Sequence, residues 1–220
     1  MTRNFEIVLS KWPMLLTGLF NTVWLCAVAA TLSLVLATVL TLVMMHHNLL
    51  LRRAAQAAVD TLRCIPFLML AYLTYYCLPE IGIRLSDWTV GLLTLIVYNT
   101  AYFAEILRGA WAHLPHEQEE AGRAFGYTRS KLFLRIIAPQ VFLAAAPVLG
   151  NQMIILIKDS AFLMVITVPE LTYMANKIQS TYFVVFETFA VAILLYWLLC
   201  TVVEAGVRRL ERVASVRRDA

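Results

Sequence analysis

Charge is what this sequence has least of: 15% of its 220 residues are charged against 61% hydrophobic, and its mean hydropathy is +0.74. A soluble domain carries roughly 45–50% apolar residues, and a globule of this length has no room to hide the surplus. Lipid is therefore the solvent expected for the outer faces. The short alternating segments of an outer-membrane barrel are missing, and long continuous apolar runs stand in their place, which points to an all-α integral membrane fold. The four cysteines, Cys26, Cys64, Cys77 and Cys200, lie singly in or beside apolar segments with no C-x-x-C pair. They indicate neither a zinc site nor a disulfide framework and read as small core residues. No G-x-x-x-x-G-K run is present, so ATP is not bound here through a phosphate-binding loop. The net charge of +4 and pI near 9.0 are not gathered into a patch. The basic residues sit at the ends of apolar runs, a pattern of membrane topology rather than of nucleic-acid binding.

What the chain does have is five apolar stretches within a single transmembrane domain, 1–220. The first, 15–45, is about twice as long as a signal-peptide core and lacks a clear cleavage site, so it reads as a retained membrane helix. The second, 65–83, holds Pro66 near its start and Pro79 near its end, which predicts a short span or one with a deformed start. The third is 88–107. The fourth, 141–168, is interrupted by Pro147, Gly150, Asn151, Gln152, Lys158, Asp159 and Ser160, which predicts one span plus a short broken helix. The fifth, 183–203, carries Glu187 and Thr188 near its start.

Five spans put the termini on opposite sides of the membrane. The segments after the first, third and fifth spans hold Arg52, Arg53, Arg63, Arg108, Arg123, Arg129, Lys131, Arg135, Arg208, Arg209, Arg212, Arg217 and Arg218, and the other side holds Arg3, Lys11, Arg84 and Lys177. Thirteen against four places the C-terminus in the cytoplasm and the N-terminus outside. The polar insert around 108–139 is then cytoplasmic. Within it Pro115 suits a first helical turn, Glu117, Glu119 and Glu120 complement the helix dipole, and Gly126 suits a left-handed cap. A surface helix of about three turns is expected, too short and too polar to cross a bilayer.

The run EAGRAFGYTRSKLFLRIIAP, 120–139, resembles the EAA loop of permeases in ATP-binding-cassette importers. Glu120, Ala121, Gly126, Ile136 and Pro139 match at the family's spacing, while Gly122 replaces the second alanine and Ala138 the leucine. Three further segments resemble the polar amino-acid branch of that family: LRCIPFL (62–68), AYFAEILRG (101–109) and IKDSAFL (157–163), the last followed by VPEL (168–171). The resemblance implies a transporter subunit that is not itself an enzyme, set in a bacterial inner membrane and moving a polar amino acid or related zwitterion. It implies coupling through Glu120, Ala121, Gly122, Gly126, Ile136 and Pro139 to separate ATPase subunits that hold the ATP and magnesium, with no cofactor on this chain. It also implies a second permease, identical or paralogous, and an extracytoplasmic solute-binding protein.

Lys158 and Asp159 interrupt an apolar region, where a charge at the bilayer centre costs on the order of 3 kcal/mol. They either line the substrate path or sit at an interface in structural pairs. Asn151 and Gln152 are weighed in the same way between substrate contact and hydrogen bonding from helix to helix. Glu105 and Arg108, three residues apart, are expected to form a structural ion pair, and Glu170 and Glu187 to lie at the outer surface. The rival chemistry is a di-metal site from His113, His116, Glu117 and Glu120, whose spacing suits one helical face. Pro115 disturbs that face, and a solvated surface accounts for the same residues. A passive channel is the third reading, and it leaves the cytoplasmic helix without a task.

Overall fold

The computed structural model describes residues 2–218, with side chains described for 4–115 and 117–209. Arg3, Arg212, Arg217 and Arg218 of the charge pattern, and His116 of the metal set, lie outside the described side chains. The described residues form helices and no strand. A short α1 (Thr2–Ser10) leads into α2 (Trp12–Met44), which carries Pro13 in its first turn, where a missing N–H costs nothing. Ala29, Ser33, Ala37 and Thr41 recur every fourth residue along α2 and are all buried. This stripe of small residues lets α5 (Asp87–Ala112) pack closely, and Ser33 Oγ donates to Ile96 O at 3.1 Å and Thr41 Oγ1 to Ala104 O at 3.2 Å across the contact.

Between them lie α3 (Leu49–Cys64), whose start is capped by Asn48, and α4 (Phe67–Glu80), bent from α3 by 101°. The bend falls where Ile65 precedes Pro66, a position steered away from helical geometry, and Ile65 is extended. The 14 residues of α4 reach only about 21 Å, short of a hydrocarbon core of about 30 Å. Four helical stretches among the described residues are long and apolar enough to cross a membrane, and the bent α3–α4 pair makes a fifth if it is one span.

Past α6 (His116–Ala124), α7 (Arg129–Leu132) runs through a π-helical turn (Phe133–Ile137) into α8 (Ala138–Ser160). The break in this fourth region differs in position from the sequence expectation. The α8 helix continues through Pro147, Gly150, Asn151 and Gln152, and the chain leaves it only at a 3₁₀ turn, Ala161–Ile166. Membrane helices absorb a proline when their neighbours compensate. The interruption instead falls at left-handed Thr167, whose hydroxyl donates to Asp87 at 2.8 Å, and at Pro169, whose carbonyl accepts from Asn21 at 2.7 Å. An unexpected short helix, α9 (Leu171–Tyr182), follows, and α10 (Val185–Arg218) begins near the expected place but continues as a polar helix beyond 203.

Packing is that of a protein in lipid. Small and branched residues fill the centre, while Phe20, Trp24, Val35, Leu36 and Val39 on α2 and Ile193, Leu194, Trp197, Leu198 and Val202 on α10 face outward. Cys26 is buried as expected, but Cys64 and Cys77 are exposed, which corrects their reading as core residues: both sit at the outer side of the α3–α4 elbow and its helix.

Candidate functional site

The polar segment builds a short helix with both ends defined. Pro115 occupies the N-cap position of α6, Glu117 and Glu119 fill the first turn, and Glu119 pairs with Arg123 one turn on. At the other end Gly126 takes φ +78°, its N–H bonds Arg123 O at 2.9 Å and the Tyr127 N–H bonds Gly122 O at 3.1 Å. That pair of bonds is a Schellman stop, which needs a left-handed residue at the position of Gly126. Thr128 then caps α7, and Leu132 folds back under α6. A Cβ on Gly122 would meet Leu132 Cδ1 at 2.4 Å and Ile136 Cδ1 at 3.2 Å. The glycine that departs from the E-A-A pattern thus sits where the loop closes on itself.

The structure brings Gly122 and Ile136 together and leaves Glu120 and Ala121 on the outer side of α6. Pro139 opens α8. Phe125, which sequence reasoning passed over, is 84% exposed beside an open hollow of about 620 Å³ lined by Gln118, Ala121, Gly122, Phe125, Tyr127, Ile136 and Gln140. A large apolar side chain held out by a capped helix beside a concavity is the form of a docking element.

The second group lies deeper in the bundle. Glu105 accepts from Arg108 Nε at 2.7 Å and Nη2 at 2.6 Å, the expected ion pair. Tyr102 donates to Arg63 O at 3.1 Å and its hydroxyl meets that of Tyr98 at 3.2 Å. Gln152 is buried and donates to Asn99 Oδ1 at 3.2 Å, joining α8 to α5, whereas Asn151 next to it is exposed. Lys158 is exposed; Asp159 is half-buried with Oδ2 enclosed and unpartnered.

Glu170 is a correction. Rather than lying at the outer surface it is fully buried, capping α9 by accepting from Thr172 N at 2.8 Å, Tyr173 N at 2.6 Å and the Tyr196 hydroxyl at 2.7 Å. Glu187 is also covered, because α1 returns Asn4 to donate to it at 2.9 Å. A buried carboxylate at a cap is legible only once α9 is known; Leu171, Ala175 and Ile178 mark the buried stripe of that helix at helical spacing, and sequence reasoning passed over it.

The di-metal reading finds no support in the donor geometry. His113 ends α5 and its Nδ1 lies 2.7 Å from Gly109 O, while Glu117 and Glu120 belong to a separate helix beyond Pro115. Among the described residues no three His, Cys, Asp or Glu side chains converge as metal ligands.

Comparison with known proteins decides the family. Residues 29–215 match the model of the binding-protein-dependent transport system inner membrane component. The chain belongs to this family. Such a permease is a transporter subunit and no enzyme, and its context is an inner membrane, with ATPase and binding-protein partners in general. The permease is 31% identical over 209 residues to the probable glutamine ABC transporter permease protein GlnM of Bacillus subtilis (strain 168), covering 95% of this chain and 97% of that one. It is 29% identical over 192 residues to the L-cystine transport system permease protein TcyB of the same organism, covering 87% and 82%. A crystal structure of an amino acid ABC transporter with histidines superposes with a TM-score of 0.86 at 27% identity, over 94% of the permease and 97% of that chain. The passive-channel reading has no counterpart among these relatives.

Proposed function

We propose that this permease moves a polar amino acid, or a closely related zwitterion, and that α6 is the element through which ATPase subunits drive it. The observation that carries the reading is the build of α6: an exposed helix stopped sharply at Gly126, with Phe125 projecting beside the hollow over Gly122 and Ile136. A short helix stopped sharply at Gly126 and backed by Leu132 and Ile136 transmits a push as a unit, and α7 and the π-helical turn carry the chain on from it into α8. Glu120, Ala121, Gly122, Gly126, Ile136 and Pro139 are the coupling residues on this reading. ATP and magnesium belong to the partner. Two ATPases closing on ATP call for two permeases, so this chain pairs with a second copy or a paralogue.

Substrate class is supported by the relatives, whose names include glutamine and L-cystine. Asp159 and Lys158 supply the opposite charges a zwitterion needs, and Asn151 is free to reach it. Gln152 serves to hold α8 on α5. The basic bias of the segments around α3, α6 and the end of α10 supports a cytoplasmic C-terminus and an outer N-terminus, where a solute-binding protein delivers substrate.

Copurification tests the coupling reading. The tagged permease, expressed together with the genes that neighbour its own, is expected to retain an ATPase in mild detergent and to lose it when Glu120→Ala and Gly126→Val are combined. Retention of the ATPase by that variant would refute the role given to α6.

A further inference from the structure

The connection from α4 to α5, residues 81–86, is held at both ends. The α4 helix stops at Gly82, φ +85°, where the Gly82 N–H bonds Pro79 O at 3.0 Å and the Ile83 N–H bonds Leu78 O at 2.9 Å. This is the same pair of stop bonds as at Gly126. Ser86 then caps α5 by accepting from Thr89 N at 3.3 Å. Arg84 is therefore carried on a short piece of chain with little freedom.

A hollow of about 440 Å³ opens beside this connection, walled by Tyr75, Tyr76, Glu80, Ile83, Arg84 and Asp87 together with aliphatic side chains. That size, with mostly apolar walls and a few polar groups, is the build of a small-molecule site. The aromatic wall is braced: Tyr76 meets Tyr75 edge-on at 5.1 Å and stacks on Tyr72 at 6.0 Å. Glu80 and Asp87 share the hollow with Arg84, yet among the described residues none of the three forms an ion pair. Asp87 instead accepts from the Thr167 hydroxyl at 2.8 Å through Oδ2. A guanidinium and two carboxylates that surround one space without pairing are the complement of a molecule that carries both charges.

We infer that this hollow is a reception site for a free zwitterionic amino acid, with the α-carboxylate on Arg84 and the ammonium on Glu80 and Asp87 beside the tyrosine rings. The inference rests on the amino-acid reading and the orientation proposed above, which put the α4–α5 connection on the outer side. The guanidinium fork matches a carboxylate in two bonds, and an ammonium gains from an aromatic face. Glu80 and Arg84 stand exposed to water, so binding is weak and suited to passing a solute on rather than retaining it. The bond from Asp87 to Thr167 leads from the hollow to the break after α8, just beyond Lys158 and Asp159.

The test uses the permease–ATPase complex in lipid nanodiscs, without binding protein. Ile83→Cys places a thiol in the hollow, and Cys64→Ser and Cys77→Ser remove the two exposed native thiols. The rate of modification by a membrane-impermeant thiosulfonate is followed against L-glutamine, L-glutaminamide, which lacks the carboxylate, and N-acetyl-L-glutamine, which lacks the ammonium. L-Glutamine at millimolar concentration is expected to slow the reaction, and the other two to need concentrations about three- to fivefold higher for the same slowing. Arg84→Gln should abolish the preference over the amide, and Glu80→Gln with Asp87→Asn the preference over the N-acetyl compound. Equal slowing by all three probes, or a preference over the amide that survives Arg84→Gln, would overturn the assignment. If a solute-binding protein slows the reaction and free L-glutamine does not, the hollow is a protein docking surface and the inference fails. Uptake by proteoliposomes supplied with the binding protein, scanned over the twenty L-amino acids, reports on the amino-acid reading separately. No uptake of any of them sinks that reading, whereas uptake without slowing at Ile83→Cys sinks the reception site alone.

Discussion

A Cβ built on Gly150 would fall 2.4 Å from both γ-methyls of Val207 and 2.9 Å from its Cβ, so α8 and α10 meet where only a hydrogen fits. Valine is stiff at χ1 and cannot swing both methyls aside. Gly150→Ala should therefore force the helices apart. The overpacking costs about 1–3 kcal/mol, against which alanine's better helix propensity returns about 1 kcal/mol. A lowered melting temperature of the purified permease is expected, with Gly150→Ala/Val207→Ala recovering most of the loss. A raised melting temperature in the single variant, or no gain from adding Val207→Ala to it, would contradict the close approach.

The Asn99–Gln152 pair is a contact between α5 and α8 with no other partner for the Gln152 amide. Replacing Gln152 with leucine leaves the Asn99 side-chain oxygen unpaired, a loss of about 1–2 kcal/mol. The double replacement with Asn99→Leu should cost less than the sum. Coupling between such membrane amides averages about 0.6 kcal/mol, and a double-mutant cycle in SDS unfolding measures it. Substrate selectivity should stay unchanged; a shift in selectivity on Gln152→Leu would return Gln152 to the path.

The spans were legible because apolar length is a direct signal, and α6 because proline, acidic residues and glycine each mark a helix end by a separate mechanism. The α4 span and the break after Ser160 were less so. Pro66 signalled a boundary, and the Leu-, Ala- and Arg-rich run 49–64 after Asn48 carries helix signals that the sequence reading passed over, but the sharp bend from it into α4 does not show in the sequence. Pro147 was a false marker, since proline inside a membrane helix does not require a break. The real break depends on Thr167 and Pro169 bonding to Asp87 and Asn21, residues 80 and 148 positions away in sequence. Of the candidate site, the loop residues stood out by spacing, whereas Arg63, Tyr98 and Tyr102 converge only through the α3–α4 elbow.

Gly126 adopts φ +78° with open space where a side chain would project. Gly126→Ala therefore meets no clash, only the backbone cost of about 1–2 kcal/mol for a left-handed residue. The stop of α6 should loosen while the bundle remains intact. ATPase activity stimulated through the complex is expected to fall without a change in the permease's melting temperature. Gly126→Asn, which tolerates that conformation, should retain most of the activity. Equal loss in the alanine and asparagine variants would show that something other than backbone geometry is required at this position.

Glu170 receives three donors while fully buried, which makes it the attachment of α9 to the bundle. Leu171 N, next in sequence, bonds the Thr22 hydroxyl of α2 at 3.1 Å, so cap and anchor act at the same point. Glu170→Ala removes the cap and leaves the two N–H groups and the phenol to find new partners, for a loss of about 2–4 kcal/mol. Glu170→Gln is graded differently. With its amide oxygen in the place that serves Thr172 and Tyr196, its NH₂ faces the Tyr173 N–H, so one bond is lost rather than three. The glutamine variant should thus fall between wild type and alanine. Hydrogen exchange over 171–182 reports the effect locally: faster exchange there in Glu170→Ala, with α2 and α5 unaltered, is the expected outcome. Uniform acceleration across the bundle would mean that α9 is not held as a separate unit but melts with the core.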